Sequence, residues 1–176
     1  MALILLRHAP PPREYHRCYL GHTDVAIDAA LFDETKIAPL LDERFDRIYS
    51  SDLLRCTQTL DAIGLHDYTA DPRLREVRFK PPYEGKTFAQ IERMEGYDPA
   101  ALSSEEAWHR FVCDESSEAF RRRIGSFLAE LDPELNVLVC THGGTIKTIL
   151  SLLDQPELHR APDYLDYVRV PLFGYN

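Results

Sequence analysis

The sequence predicts an α/β fold, a three-layer sandwich with a mostly parallel central sheet and helices on both faces. Two continuous apolar runs support this prediction, at residues 3–6 and 137–140. Runs of this kind are typical of strands buried on both faces of a parallel sheet. Segments with helical spacing of apolar residues alternate with the strands. With 176 residues, we expect a single domain, residues 1–176, with a sizeable core.

The first half of the chain predicts three strands that are separated by loops and helices. After the first strand, residues 9–28 form a loop rich in Pro, His, Tyr and Arg. Asp28 is placed to cap a helix, which Pro39 must kink or interrupt. The second strand covers residues 45–49, and a weak third strand covers residues 68–70.

A helix is predicted directly after the second strand. Ser50, Ser51 and Asp52 are suited to capping its start. Apolar side chains recur at helical spacing, at Leu53, Cys56, Leu60 and Ile63. Arg55 lies in the first turns, where the helix dipole and its own guanidinium both favour an anion.

The middle of the chain, residues 73–99, is polar and broken by Pro and Gly. We expect one short helix in it, over residues 87–94. Ser103 and Glu106 then have the spacing of a capping box at the start of a further helix.

The clearest helix opens at Ser117. Its apolar stripe consists of Phe120, Ile124, Phe127, Leu128 and Leu131. Arg121, Arg122 and Arg123 lie largely off this stripe, so we expect them to form a solvated face. The strand at residue 137 and one more helix follow, and a last strand covers residues 167–172.

Composition argues against several classes of protein. A formal charge of −9 argues against nucleic-acid binding and against binding to an anionic membrane surface. The first apolar run has no basic region before it and is too short for a signal peptide or a membrane span. No C-x-x-C pair occurs among the four cysteines, Cys18, Cys56, Cys113 and Cys140. We therefore expect reduced thiols in a cytoplasmic protein.

Both buried strands end at a histidine. The first runs into Arg7-His8, and the second into Thr141-His142-Gly143-Gly144. Open α/β sheets place their sites at the carboxyl ends of the strands. The sequence therefore predicts a pocket that contains both histidines at this edge of the sheet.

The residue types at this edge suit phosphoryl transfer. A neutral imidazole at His8 can attack phosphorus, while the guanidinium of Arg7 holds two phosphoryl oxygens. Nearby positive charge keeps such a histidine neutral. The glycines after His142 let backbone N–H groups approach an anion closely. Glu76 is a candidate donor of the proton that the leaving group of a phosphate ester needs.

Four blocks of the sequence resemble, in order, those of the histidine phosphatase superfamily, the group of cofactor-dependent phosphoglycerate mutases and related phosphatases. The blocks are Leu5-Leu6-Arg7-His8, then Ser51-x-x-x-Arg55-x-x-Gln58-Thr59, then Leu74-Arg75-Glu76 with Tyr83-Glu84-Gly85 and Thr87, and then Val139-Cys140-Thr141-His142-Gly143-Gly144. The resemblance spans nearly the whole chain and implies a phosphoglycerate mutase-like fold.

The resemblance also implies a role for each matching residue, in a reaction that needs no metal or other cofactor. His8 would be the nucleophile that becomes phosphohistidine. Glu76 would protonate the leaving oxygen and then activate the water that hydrolyses the phosphohistidine. The transferring phosphoryl group would be gripped by Arg7, Arg55 and His142, with the N–H of Gly143 as a helper.

Length separates the branches of this family, because the mutases carry an extra segment between the acid and the last histidine. Here that gap is 142 − 76 = 66 residues, which favours a phosphatase. Gly21 falls where mutases offer backbone to the substrate. The alternatives are a mutase-type phosphotransferase and a weak or inactive member of the fold that binds a phospho-ligand.

The first block departs from the family pattern. Ala9 replaces the usual glycine, and Glu14 takes the place of an asparagine that touches the phosphate. A carboxylate facing the pocket would repel a phosphate. We therefore expect either reduced activity or a different loop path that brings in Arg13 or Arg17.

The loop leaves two further questions open. Its segment 18–24 is similar to a stretch of α-ribazole phosphatases, which makes α-ribazole phosphate one candidate substrate. A rival interpretation is a metal site at His16, Cys18 and His22, although that spacing matches no common zinc pattern. We expect a small phosphorylated metabolite as partner, and neither nucleic acid nor membrane. The sequence predicts no oligomeric state.

Overall fold

The computed structural model describes residues 1–156 and 158–171, which contain a mixed five-stranded sheet with helices around it. The strands are β1 (Ala2–Arg7), β2 (Arg47–Ser50), β3 (Thr69–Ala70), β4 (Val137–Thr141) and β5 (Tyr167–Pro171). The helices are α1 (Ala38–Leu41), α2 (Leu54–Ala62), α3 (Phe88–Ile91), α4 (Glu105–Val112), α5 (Ser117–Leu128) and α6 (Gly143–Leu152). Strand order is β3-β2-β4-β1-β5, parallel except for β5. The predicted fold class is confirmed. Leu172, the end of the predicted last strand, lies outside the described residues.

Alternate side chains of the two central strands enter separate cores on the two faces of the sheet. Leu3 and Leu5 join a core that includes side chains from α5 and α6, such as Ile124. Ile4 and Leu6 join a second core that includes side chains from α1 and α2. Burial on both faces explains why these strands read as continuous apolar runs.

The strand register brings the ends of β1, β2 and β4 together. Leu6 and Ser50 both pair with Cys140 in the middle strand. The N–H of His8 donates to the carbonyl of Thr141 at 3.0 Å, just beyond the paired residues. The residues that follow the three strands therefore lie side by side at one edge of the sheet.

The single helix predicted after Asp28 was wrong. Asp28 caps only the short 3-10 turn Ala29–Leu31, and a second turn, Glu34–Lys36, comes before α1. Pro39 lies in the first turn of α1, where its missing N–H costs no helical hydrogen bond. A continuous helix through Pro39 would lose that bond, and the chain instead forms separate short segments.

Two predicted helix caps were also wrong. No side chain within residues 50–52 caps α2, and the N–H of Leu54 donates instead to Asp24 at 2.7 Å. At the start of α4 the cap is Ser104 and not Ser103, with its hydroxyl accepting from the N–H of Ala107 at 3.0 Å. The cap of α2 could not be predicted from the neighbouring sequence, because Asp24 belongs to a loop far away in the chain.

All four cysteines are free; Cys18 is partly buried, and Cys56, Cys113 and Cys140 are buried. Within residues 1–156 and 158–171, no helix has the length and apolar character needed to span a membrane.

Candidate active site

The side chains predicted to act together line one cavity of about 180 Å³ at the carboxyl edge of the sheet. The predicted residues that line it are Arg7, His8, Gly21, Arg55, Glu76, His142 and Gly143. Gly144, the second glycine after His142, lines it as well, and so does Tyr164, to which the sequence assigned no role in the site. Segments far apart in the chain thus form a single concave site.

His8 follows β1 directly and is only 4% exposed. Its Nδ1 lies 2.7 Å from the carbonyl oxygen of Ala9. In the neutral ring Nδ1–H donates to that oxygen, so Nε2 carries the lone pair. Burial lowers the pKa of His8 well below its ordinary value of 6.5, and the charges of Arg55 and Arg7 lower it further. The ring is therefore neutral, and nucleophilic at Nε2, at neutral pH.

Arg55 is 1% exposed and holds only neutral partners. Its Nη1 and Nη2 donate to the carbonyl oxygens of Thr23 at 2.7 Å and Gly21 at 2.8 Å. Its Nε donates to Nδ1 of His142 at 3.2 Å. Burial lowers the pKa of Arg55 from its ordinary value, and the group stays charged. Its buried positive charge therefore faces the cavity without ion pairing at these contacts.

Arg7 has a donor without a partner. Its Nη1 donates to the carbonyl of Pro162, and its guanidinium lies 4.2 Å from the ring centroid of Tyr164. Its Nε is buried and unpaired, the one such side-chain atom in the described part of the chain. An unsatisfied buried donor costs about 1–3 kcal/mol. An anion in the cavity would supply the missing acceptor.

His142 follows β4 and is 1% exposed. Its Nδ1 accepts from Arg55, so in the neutral ring Nε2–H donates to the hydroxyl of Ser51, 2.9 Å away. The rings of His8 and His142 pack edge to face, with their centroids 5.2 Å apart. Burial, and then the charge of Arg55, lowers the pKa of His142 well below its ordinary value. Both histidines of the site are therefore neutral at neutral pH.

The two buried histidines predict loss of stability in acid. Below a pH of about 6.5, the unfolded chain takes up protons at His8 and His142, whereas the folded chain keeps both rings neutral. Stability therefore falls as the pH drops from 6.5 toward the lowered folded-state pKa values, by up to about 1.4 kcal/mol per pH unit for each ring. Urea unfolding between neutral pH and pH about 5.5 measures this slope. His8→Gln should flatten it, and equal slopes for variant and wild type would contradict the account.

Glu76 is held at the start of α6. Its two carboxylate oxygens accept from the backbone N–H of Gly144 at 2.8 Å and of Val77 at 3.0 Å. A Cβ at position 144 would lie 2.5 Å from Oε1 of Glu76. The second glycine of the His-Gly-Gly motif therefore makes room for this carboxylate. The motif itself could have indicated this role, but the sequence does not show that Glu76 packs there.

The backbone that carries Glu76 is fastened by Arg123, which corrects the prediction of a solvated face. Nη1 of Arg123 donates to the carbonyls of Arg73 at 2.7 Å and Arg75 at 2.8 Å, and Nη2 donates to the carbonyl of Glu76 at 2.9 Å. Its remaining donors bind the carboxylate of Glu115. Arg121 and Arg122 are exposed as predicted.

Two side chains of the second sequence block, Gln58 and Thr59 on α2, bind the backbone of the loop over residues 9–28. The hydroxyl of Thr59 accepts from the N–H of Ala9 at 2.8 Å, and Oε1 of Gln58 accepts from the N–H of Ile27 at 3.0 Å. Gly21 has φ of +49°, and a Cβ there would lie 2.8 Å from Cδ2 of Phe79. The carbonyl of Gly21 accepts a hydrogen bond from Arg55, so Gly21 helps to position that guanidinium.

The replacement at Glu14 does not place a carboxylate in the cavity. Glu14, Arg13 and Arg17 are all exposed and lie outside its lining. The loop therefore takes a different path, which is one of the two outcomes expected from the sequence. The other part of that expectation was wrong, because neither Arg13 nor Arg17 enters the site.

The residues of the rival metal site are engaged elsewhere. The ring of His16 bonds to the carbonyl of Pro11 at 2.9 Å, and that of His22 to the carbonyl of Glu76 at 3.0 Å. Within residues 1–156 and 158–171, no group of three His, Cys, Asp or Glu side chains is placed to hold a metal ion. His22 instead links the loop to the backbone of Glu76.

Curated relatives carry phosphatase names. The chain is 31% identical over 161 residues to "Putative phosphoserine phosphatase 2" of Hydrogenobacter thermophilus, covering 86% of this chain and 77% of that protein. It is 30% identical over 177 residues to a broad-specificity phosphatase of Saccharomyces cerevisiae, covering 90% and 72%.

Solved structures share the fold. The protein TTHB049 of Thermus thermophilus has 27% identity and a TM-score of 0.69, over 97% of this chain and 93% of that one. A phosphoglycerate mutase of the same organism has 26% identity and a TM-score of 0.66, over 97% and 92%. The α-ribazole phosphatase of Shigella flexneri, at 22% identity and a TM-score of 0.74 over 96% and 89%, is similar in fold.

The family model of the histidine phosphatase superfamily, branch 1, matches residues 3–170. That range contains all four sequence blocks and every side chain of the cavity. The fold, the phosphatase-named relatives and this match agree with one another, and the chain belongs to the histidine phosphatase superfamily (branch 1).

Proposed function

We propose that this chain is a metal-independent phosphomonoesterase that hydrolyses a small phosphate ester through a phosphohistidine at His8. The observation that carries the proposal is the unpaired, buried Nε of Arg7, next to a neutral His8 and a second guanidinium with neutral partners. Such a cavity presents positive charge and one vacant hydrogen bond to an anion. A phosphate group satisfies both.

The reaction has two steps. Nε2 of His8 attacks phosphorus, the bond from phosphorus to the ester oxygen breaks, and Glu76 gives that oxygen its proton. Water then attacks the phosphohistidine, Glu76 takes a proton from the water, the phosphorus–nitrogen bond breaks, and inorganic phosphate leaves. Catalysis of this kind depends on positioning and on charge stabilisation, which Arg7 and Arg55 supply. His142 lines the same cavity and is the third proposed contact to the phosphoryl group.

The test is hydrolysis of p-nitrophenyl phosphate by the purified protein in the presence of a chelator. The proposal expects turnover that the chelator does not reduce. Loss of turnover on chelation would contradict the metal-independent mechanism. Binding of inorganic phosphate by a folded protein without any turnover would favour the inactive, ligand-binding member of the fold.

Gly144→Ala should lower kcat by roughly 100-fold, because displacing a catalytic group by about 1 Å has effects of that order. The new Cβ would meet the carboxylate of Glu76 at 2.5 Å and push it from its place. Gly125→Ala on α5 is the matched control, since a Cβ there meets nothing within 4 Å. A normal kcat in Gly144→Ala would contradict the placement of Glu76 against α6.

A further inference from the structure

A second, larger concavity adjoins the catalytic cavity at Glu76. This groove has a volume of about 570 Å³ and lies between α4, α5 and α6. Glu76 and Gly144 line both the groove and the catalytic cavity. The catalytic cavity, at about 180 Å³, is small. The groove is therefore a candidate site for the group bonded to the oxygen that Glu76 would protonate.

One face of α6 forms a wall of this groove. Gly144, Lys147, Thr148 and Ser151 all line it, and they have the i, i+3, i+4, i+7 spacing of a single helix face. At a rise of about 1.5 Å per residue, Lys147 lies about 4.5 Å beyond Gly144 along the helix axis. A lysine thus lines the groove about one helical turn from Gly144, against which the carboxylate of Glu76 packs.

Arg121 of α5 adds a second cation to this wall. Its Nη1 donates to the hydroxyl of Ser151 at 3.1 Å, one helical turn beyond Lys147. That partner is neutral, so the hydrogen bond leaves the charge of Arg121 uncompensated.

Besides Glu76, two acidic side chains line the groove, Glu105 and Glu106, and both lie on α4. Oε1 of Glu105 is 3.9 Å from Nζ of Lys147, and the Glu105 side chain is 97% exposed, against 36% for Lys147. Water screens so exposed a pair. Glu106 accepts the hydroxyl of Ser117 at 2.7 Å. These two carboxylates also oppose a leaving group with the double charge of a phosphate.

We propose that this groove binds the leaving group, and that Lys147 and Arg121 select esters whose leaving alcohol carries a carboxylate. The substrate class is then the phosphorylated short hydroxy acid. The inference rests on the proposed function, because it takes Glu76 as the donor to the leaving oxygen. It disfavours α-ribazole phosphate, whose leaving group is a nucleoside without a carboxylate.

Three esters of similar size test this inference: 2-phosphoglycolate, ethyl phosphate and phosphoethanolamine, whose leaving groups are anionic, neutral and cationic. The wild type should prefer 2-phosphoglycolate to ethyl phosphate in kcat/KM. Lys147→Met should reduce that ratio by about tenfold, since one charge-assisted hydrogen bond is worth about that much. Arg121→Met should reduce it less, because its guanidinium lies at Ser151, one helical turn further from Gly144 than Lys147. Lys147→Glu should shift the preference toward phosphoethanolamine.

Arg122→Met is the matched control, because Arg122 is the exposed neighbour of Arg121 and lies outside the groove. In Arg122→Met, the ratio of kcat/KM for 2-phosphoglycolate to kcat/KM for ethyl phosphate should equal that of the wild type. Turnover of all three esters without preference, and an unchanged ratio in the groove variants, would overturn this inference and leave the proposed function standing. Absence of turnover on all three esters and on p-nitrophenyl phosphate would overturn both. If Lys147→Met does not fold, Lys147→Gln takes its place, since it removes the same charge and keeps a polar side chain.

Discussion

His8→Ala should lower kcat by roughly 10³-fold or more, because it removes the nitrogen that forms the covalent intermediate. The charges of Arg7 and Arg55 remain in this variant, so inorganic phosphate should still bind. Steady-state kinetics and calorimetric titration with phosphate measure the two effects separately.

The control for His8→Ala is His66→Ala, since His66 is exposed in the loop that follows α2 and lies outside the cavity. It should keep the wild-type kcat. Near-normal turnover in a folded His8→Ala protein would contradict the role of His8 as nucleophile. Loss of both turnover and phosphate binding would show instead that the ring is needed to keep the cavity open.

Glu76→Gln should slow hydrolysis by an amount that depends on the leaving group. An alkyl alcohol is a poor leaving group and needs a proton, so ethyl phosphate should lose roughly 10²–10⁴-fold in its first step. p-Nitrophenolate is stable without a proton, so its release should be fast while hydrolysis of the phosphoenzyme is slow. Rapid-mixing kinetics should then show a burst of one p-nitrophenolate per active site.

Glu92→Gln is the matched control, because Glu92 is an exposed carboxylate just after α3 and lies outside both cavities. It should show the wild-type dependence on leaving group. Equal rate losses for ethyl and p-nitrophenyl phosphate in Glu76→Gln, without a burst, would contradict the assignment of Glu76 as proton donor and water activator.

The sequence predicts the fold and the grouping of the site residues because both depend on short, strong patterns. The apolar runs before His8 and His142 mark buried strands, and parallel strands bring their carboxyl ends to one edge. The family resemblance adds Arg55 and Glu76, which no local pattern connects with the histidines. All four line the cavity.

What the sequence could not predict depends on contacts between distant segments. Arg123 reads as one of three exposed arginines, yet its guanidinium binds the backbone that carries Glu76, some 47 residues earlier. Tyr164 comes from the loop before β5 and packs on Arg7 and on His8. Asp24 caps a helix that begins 30 residues later. The spacing of residues within one segment does not indicate which residues of a distant segment they will contact.

The measurement that tests the central claim most directly is the trapping of the phosphoenzyme. The protein is mixed rapidly with p-nitrophenyl phosphate, quenched in alkali, where phosphohistidine survives, and analysed by mass spectrometry of its peptides. The account predicts one acid-labile phosphoryl group on His8, absent in His8→Ala and accumulated in Glu76→Gln. Steady turnover without a phosphorylated peptide, or with the phosphoryl group on a residue other than His8, would contradict it.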